Sequence, residues 1–367
     1  MKKFLFLSVL TVLSACGSDE PTEERTFYLG FTPFPYAISQ EAVDFTYEKI
    51  AKDADIVNHH FDNGVPWVEA EHNDPFHINI TNDWQFRKNS TPQGHKIYVS
   101  VTPIDFVRTG IAKYRAAEED MELPEPWDAY SFNDEPVKTA YLNYCKRIID
   151  FFEPDFFNMA IEANLLYFNH SPFWDDYLEL HEFIYNELKS AYPDLPVFCS
   201  VVGAHMMSDT FADNDHLALR TATVQLLEHS DLYALSLYPY LTAYLGNPYP
   251  ENMLTELFSI SNKPLAIAET GYAAQTFSID TEGGTLTVVS DPNKQEKYIS
   301  ELLKACTKRK AKFVINFVLR DYDDLWEEIG SPTGVVIAWR DSGLYDENGN
   351  TRKALTRWRS YLKKPLS

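Results

Sequence analysis

Pro264-Leu265-Ala266-Ile267-Ala268-Glu269-Thr270-Gly271-Tyr272 is a short apolar run with one carboxylate set into its far end. A run of this length, bounded by polar sequence and interrupted by glycine, reads as a strand buried on both faces rather than as a helix. Period-two alternation puts Leu265, Ile267 and Glu269 on one face, so the glutamate emerges where the strand ends. Seven more runs of this kind lie at 27–31, 55–60, 96–102, 156–164, 197–203, 232–238 and 313–320, with successive starts 28 to 60 residues apart.

Helical periodicity fills the gaps. Val43, Tyr47, Ile50 and Ala51 form one apolar face behind Ser39 as N-cap, and Trp174, Tyr177, Leu178, His181, Ile184 and Leu188 form another behind Ser171-Pro172. Asp291-Pro292 repeats that start before Tyr298, Ile299, Leu302, Leu303 and Cys306, and Ala354, Leu355, Trp358 and Leu362 give the last segment its face. Eight strands alternating with helices predict parallel strands joined by crossover helices. The expected fold is therefore α/β, a single (β/α)8 TIM barrel over 27–367. The long connections 103–134, 273–290 and 321–350 then surround the C-terminal mouth, where barrels build their active sites. Gly283-Gly284 predicts a small hairpin flap inside 276–290.

The composition fits a folded domain and narrows its partners. Hydrophobic residues make up 45% of the chain, enough for a large core, which excludes intrinsic disorder. With 32 Lys+Arg against 54 Asp+Glu the formal charge is −22, and so acidic a surface repels nucleic acid. Neither a dinucleotide nor a P-loop glycine pattern follows any strand, and no Cys-x-x-Cys occurs, so no cofactor and no metal is expected. Cys145, Cys199 and Cys306 are an odd set, with Cys199 in an apolar run that suits a buried thiol.

Lys2 and Lys3 precede an apolar stretch from Phe4 to Leu13 that is too short to span a bilayer as a helix, and Leu13-Ser14-Ala15-Cys16 follows. That ending resembles a bacterial lipobox. It implies a signal peptide over 1–15, lipid attachment at Cys16, and a polar acidic tether over 16–26. The expected location is exported and lipid-anchored to a bacterial membrane, at the outer membrane or cell surface, as a monomer.

Phe156-Phe157-Asn158-Met159-Ala160-Ile161-Glu162-Ala163-Asn164 matches the opening stretch in ending on a carboxylate. One glutamate at a strand end is commonly a rim ion pair. Two, on the fourth and seventh of eight strands, point to paired acid/base chemistry. This layout resembles the clan A glycoside hydrolases. Residues 265–272, Ser236-Leu237-Tyr238-Pro239-Tyr240, and 341–350 followed by Ala354 and Trp358 are similar to segments of the endo-β-1,4-galactanase and related families. The resemblance implies a retaining glycoside hydrolase that cleaves a poly- or oligosaccharide by double displacement. Glu162 would be its acid/base, Glu269 its nucleophile, and Tyr238 a donor to Glu269. Open loops around the mouth suggest endo action. The clan usually places Asn directly before the acid/base; Ile161 stands there, so Asn164 or another residue is expected to contact the sugar instead.

Weaker candidates line the same mouth. One of His59 and His60 should face the centre, and His60, Asp62 and Arg320 are candidate substrate contacts, while Asp105 and His205 line the cleft or cap helices. Asn316 and Asp321 mark the end of strand eight. Of Trp67, Trp127, Trp326 and Trp339, Trp67 and Trp339 are the candidate platforms for a pyranose face. Arg108, Lys113 and Arg115 form a small basic patch that could hold an acidic glycan. The alternative reading is a non-catalytic, glycan-binding surface lipoprotein on a degenerate barrel.

Overall fold

The computed structural model describes residues 24–208, 210, 211, 215–244, 246, 248–281, 284–332 and 334–367. The expected signal peptide, Cys16 and most of the tether lie outside the described residues.

The strands are β1 (Tyr28–Phe31), β2 (Ile56–Phe61), β3 (Lys96–Val101), β4 (Phe156–Asn158), β5 (Val197–Phe198), β6 (Ser200–Val202), β7 (Tyr233–Leu237), β8 (Leu265–Thr270), β9 (Phe277–Thr281), β10 (Gly284–Val288) and β11 (Phe313–Asn316). All but β9 and β10 belong to one sheet, in the order β5-β4-β3-β2-β1-β11-β8-β7-β6. Every pairing within it is parallel. β5 and β6 are the two halves of one strand broken at Cys199, so the order runs once round a closed eight-stranded barrel. β9 and β10 form an antiparallel hairpin, with Thr281 opposite Gly284, where the flap was expected.

The helices begin and end for local reasons. Ser39 caps Gln40–Asp53 by accepting from Ala42 N–H at 3.1 Å. Asp291 caps Pro292–Arg309 by accepting from Asn293 and Lys294 N–H at 2.7 and 3.1 Å. Ser171-Pro172 behaves differently from expectation: it makes one 3-10 turn, and the α-helix starts at Trp174 with no side-chain cap. No helix among the described residues is long and apolar enough to cross a membrane.

Alternation along the strands sorts side chains into two layers. Val57, Val99, Phe157, Val201, Leu235, Ile267 and Val314 point outward and pack under the helices. Ile56, Tyr98, Phe156, Phe198, Ala234, Ala266 and Phe313 point inward and fill the barrel. The inward rings interlock: Phe313 lies 4.9 Å from Tyr98 and 4.9 Å from Phe156 between centroids, and Tyr98 stacks on Phe198 at 5.8 Å. The expectation that Leu265, Ile267 and Glu269 share a face fails here. Leu265 and Ile267 face the helices, while Ala266 and Ala268 face the interior. The pairing slips between Leu235 opposite Ile267 and Ser236 opposite Glu269, a β-bulge that inserts one residue into β8.

Phe313→Ala should cost about 3–5 kcal/mol, because three rings lose their common neighbour and the cavity cannot collapse between fixed strands. Equilibrium denaturant unfolding of the two proteins would measure it.

Candidate active site

The bulge decides where Glu269 goes. With one extra residue before it, Glu269 follows the inward Ala268 without returning to the helix side, and its carboxyl stands at the mouth, 18% exposed. Glu162 arrives by a different route. β4 ends at Asn158, well short of the expected 156–164, and Glu162 lies in the following turn with φ 51°, in the left-handed region. Its own backbone holds it there: the N–H donates to Ser200 Oγ at 3.0 Å. Such a conformation costs a non-glycine residue roughly 1 kcal/mol or more, so the surroundings must enforce it.

Both carboxyls are provided with donors. Tyr238 donates its hydroxyl proton to Glu269 Oε1, and Ser236 donates to Glu162 Oε1 at 2.6 Å. His60 Nδ1 stands 3.7 Å from Glu269 Oε2 and 3.2 Å from Ser100 Oγ. Arg108 approaches Glu162 Oε2 at 3.7 Å while gripping Asp62 with two bonds of 3.1 and 2.7 Å. Beneath them lies a layer of hydrogen-bonded polar side chains. Ser100 donates to Asn58, Asn58 to Thr32, and Asn158 to Tyr98 and Ser200, each at 3.1 Å.

The electrostatics follow from burial. The Glu269 carboxyl is pushed well above the ordinary carboxylate range, first by loss of solvent and then by the charge of Glu162, with the Tyr238 hydrogen bond opposing. His60 is pushed down to about 4, chiefly by burial, and is therefore a neutral imidazole near pH 7. Burial also works against the charged guanidinium of Arg108, but Asp62 and then the two glutamates outweigh it and raise its value.

Several expected site residues are placed elsewhere. Asn164 is fully buried: its amide donates to Val202 O and Thr223 Oγ1 and accepts from Val202 N–H, which pins β6 to the helix His216–Glu228, so it cannot touch a sugar. Trp67 is also fully buried, stacked on Trp127 with its N–H on Ala112 O at 2.8 Å, and offers no platform. Arg320 is held by Glu347 O at 2.6 Å with its guanidinium 3.4 Å above the Tyr36 ring, away from the carboxyl pair. Asp62 reaches the site, but Arg108 occupies both of its oxygens. Asp105 caps its own loop through Thr109 and Gly110. Trp339 does reach the site: it packs edge-on to Tyr238 at 5.8 Å. Of the histidine pair, His60 faces the centre and His59 bonds Thr91 at 2.8 Å behind the sheet. The supposed basic patch is a set of compensated charges. Lys113 pairs with Glu122 at 2.8 Å, Arg115 with Asp83 at 3.1 Å, and Arg108 with Asp62.

Ser200, Ser236 and the role of Arg108 were missed by sequence reasoning. Ser236 had a signal, since alternation places it on the face of Tyr238. Arg108 had none beyond its position in the long third loop. Among the described residues one acidic group has metal-ligand spacing, with one oxygen each from Asp321, Asp323 and Asp341 within 4.8 Å of one another. Arg352 and the Gly343 N–H engage Asp321, and Arg340 engages Asp341, so two guanidinium groups already lie against the cluster. Cys145, Cys199 and Cys306 are all free and buried.

Solved structures share this architecture at low identity. GH5_18 from Bifidobacterium longum subsp. longum superposes with a TM-score of 0.64 at 14% identity, over 93% of this chain and 81% of its own. The GH53 catalytic domain of Ignisphaera aggregans gives 0.58 at 15%, over 93% and 98%. Xylanase 10B of Thermotoga maritima gives 0.57 at 13%, over 92% and 95%. The fold is theirs. The sequence matches no protein-family model and no curated protein. At these identities the likeness establishes the barrel, and the site has to carry the function.

The raised Glu269 carboxyl makes a stability prediction. Its folded value lies above its unfolded one, so its neutral form favours folding, and that contribution is lost as pH rises through the folded value. Glu269→Gln should therefore have a small effect on melting temperature at about pH 5 and raise it by several degrees at about pH 9. Thermal unfolding followed by circular dichroism across that range would show the difference growing with pH.

Proposed function

We propose that this protein is a retaining glycoside hydrolase acting on a neutral poly- or oligosaccharide, with Glu162 as acid/base and Glu269 as nucleophile. The observation that carries the reading is the carboxyl pair itself. Glu162 lies in the turn after the fourth barrel strand and Glu269 near the end of the seventh, each with its own hydroxyl donor and with side chains 22% and 18% exposed. The structural neighbours support it: a form of the Bifidobacterium protein is seen in complex with Manb1-4GlcNAc, and another neighbour is a xylanase.

Double displacement needs one proton on such a pair, and it needs it on Glu162. In the free site burial favours the neutral form of Glu269, so the proton has to leave Glu269 before attack, a change that the Tyr238 hydroxyl assists. Glu162 would give its proton to the leaving oxygen while Glu269 attacks the anomeric carbon, and Glu162 would then draw a proton from the incoming water. Tyr238 suits the attacking role of Glu269 because its hydroxyl favours the charged form. Trp339, beside Tyr238, is the remaining aromatic candidate for packing on a sugar ring. We take the action as endo, from the long connections that surround the C-terminal mouth. The glycan is taken as neutral because Arg108, Lys113 and Arg115 are each committed to an acidic partner.

Ile161 is buried and Asn164 is engaged in the fold, so neither replaces the Asn usual before the acid/base. That absence is what favours the second reading, a barrel that binds glycan without cutting it. The two readings part on one experiment. Wild type incubated with β-mannan, xylan, β-1,4-galactan and their oligosaccharides should release new reducing ends, with retained anomeric configuration by proton NMR. Glu162→Gln should lower the rate by about 100- to 10,000-fold, and Glu269→Gln at least as much, with binding kept. Binding without release by the wild type would instead establish the second reading.

We also propose that Cys16 carries a lipid and anchors the domain outside the cytoplasm of a bacterium. Incorporation of a labelled fatty acid in bacterial cells should be lost in Cys16→Ala.

A further inference from the structure

Arg108 occupies an unusual place. Its guanidinium lies between Asp62 and Glu162, its side chain is 5% exposed, and it is delivered by a loop residue in the left-handed region, with φ 56°. One nitrogen also donates to Asp105 O at 2.9 Å, which fixes the loop beneath it. Asp62 is only 11% exposed and gives Arg108 both of its oxygens.

Counting the groups that face the pair shows what this arrangement does. From β2 come His60, which is neutral near pH 7, and Asp62 just beyond the strand. β7 is followed by Tyr238, a neutral phenol whose ionisation burial resists, and β3 contributes the phenol of Tyr98. Behind the sheet Arg87 acts on His60, and in the third loop Asp120 feels Asp62 while Asp105 is spent on its own turn. The fixed charges that act on the pair are therefore Arg108, 3.7 Å from Glu162, and Asp62 behind it, which cancel as a pair.

We propose that Arg108 and Asp62 act as one neutral clamp beside the Glu162–Glu269 pair, in which Asp62 keeps the Arg108 charge from ionising both carboxyls and Arg108 keeps the Asp62 charge from protonating both. In this arrangement neither charge alone sets the pH range over which the two carboxyls share a single proton. The inference builds on the proposed function, because it concerns the same site. Its physical content is independent of any substrate: an isolated guanidinium would drive both carboxyls to ionise, an isolated Asp62 would keep both protonated, and the clamp holds the site between these limits.

The test reads the carboxyls directly. Protein labelled with carbon-13 at the glutamate carboxyls is titrated by NMR, with the two signals assigned through Glu162→Gln and Glu269→Gln. Arg108→Gln should raise the titration midpoints of the pair by about one pH unit or more, and Asp62→Asn should lower them by a similar amount. The double variant should return close to wild type, since cation and anion leave together. Arg108→Lys, which keeps the charge and the volume, should stay near wild type and serves as the arm to read if Arg108→Gln does not fold. Midpoints that stay within about 0.3 unit in both single variants, or that move the same way in both, would overturn the proposal. So would an Arg108→Lys midpoint displaced by a full unit. If the midpoints move in opposite directions while no glycan is cleaved, the charge clamp stands and the hydrolase reading fails.

Discussion

Tyr98, Phe156, Phe198 and Phe313 close the lower end of the barrel with interlocked rings, and that dry floor dictates what can stand above it. A closed sheet has no edge through which water reaches its interior, so each inward polar group needs a protein partner. The next layer obeys this rule with Asn58, Ser100, Asn158 and Ser200, whose bonds run to one another and to Thr32 and Tyr98. Only above that polar layer, where the strands end, does the barrel interior admit charge. The sequence of layers, from apolar through hydrogen-bonded to ionisable, is what brings the carboxyls to the solvent end of the barrel.

Regular pleating would not have aimed them. In an unbroken β8, Glu269 would share the face of Ile267 and lie under the helices, where a carboxylate has no partner. The inserted residue re-aims it, and the left-handed turn at Glu162 does the same job on the other side of the mouth. Both devices are local backbone irregularities, and both are held by side chains from neighbouring strands. Ser200 and Ser236 on β6 and β7 fix Glu162, and Tyr238 just beyond β7 fixes Glu269. The site is thus built by the middle strands of the barrel acting on the two irregular ones.

This explains which features could be read from the chain. The eight runs were legible because each buried strand must be apolar on both faces, a property of consecutive residues. The two glutamates were legible because a carboxylate ending such a run is conspicuous. Asn164, Trp67 and Arg320 misled for the same physical reason: a polar or aromatic residue near the rim serves equally well to saturate buried backbone. Val202, Ala112 and Glu347 supply the groups they saturate. Which use a side chain finds depends on neighbours 27 to 45 residues away in sequence. The Arg108 clamp spans 46 residues to Asp62, and nothing local marks it.

The clamp also bears on what kind of ligand the mouth can accept. A chain of formal charge −22 already repels polyanions at long range, and only a local uncompensated cation could reverse that at the cleft. Arg108 is the cation nearest the carboxyls, and it is the one least able to serve. Releasing it from Asp62 to bind an acidic sugar would leave Asp62 buried without its partner, a loss that a single new ion pair at a solvated mouth does not make good. An arginine used up in holding the site's own charge therefore speaks for a neutral ligand over an acidic one. Its bidentate grip on a buried aspartate, and not its mere presence, is what argues the point.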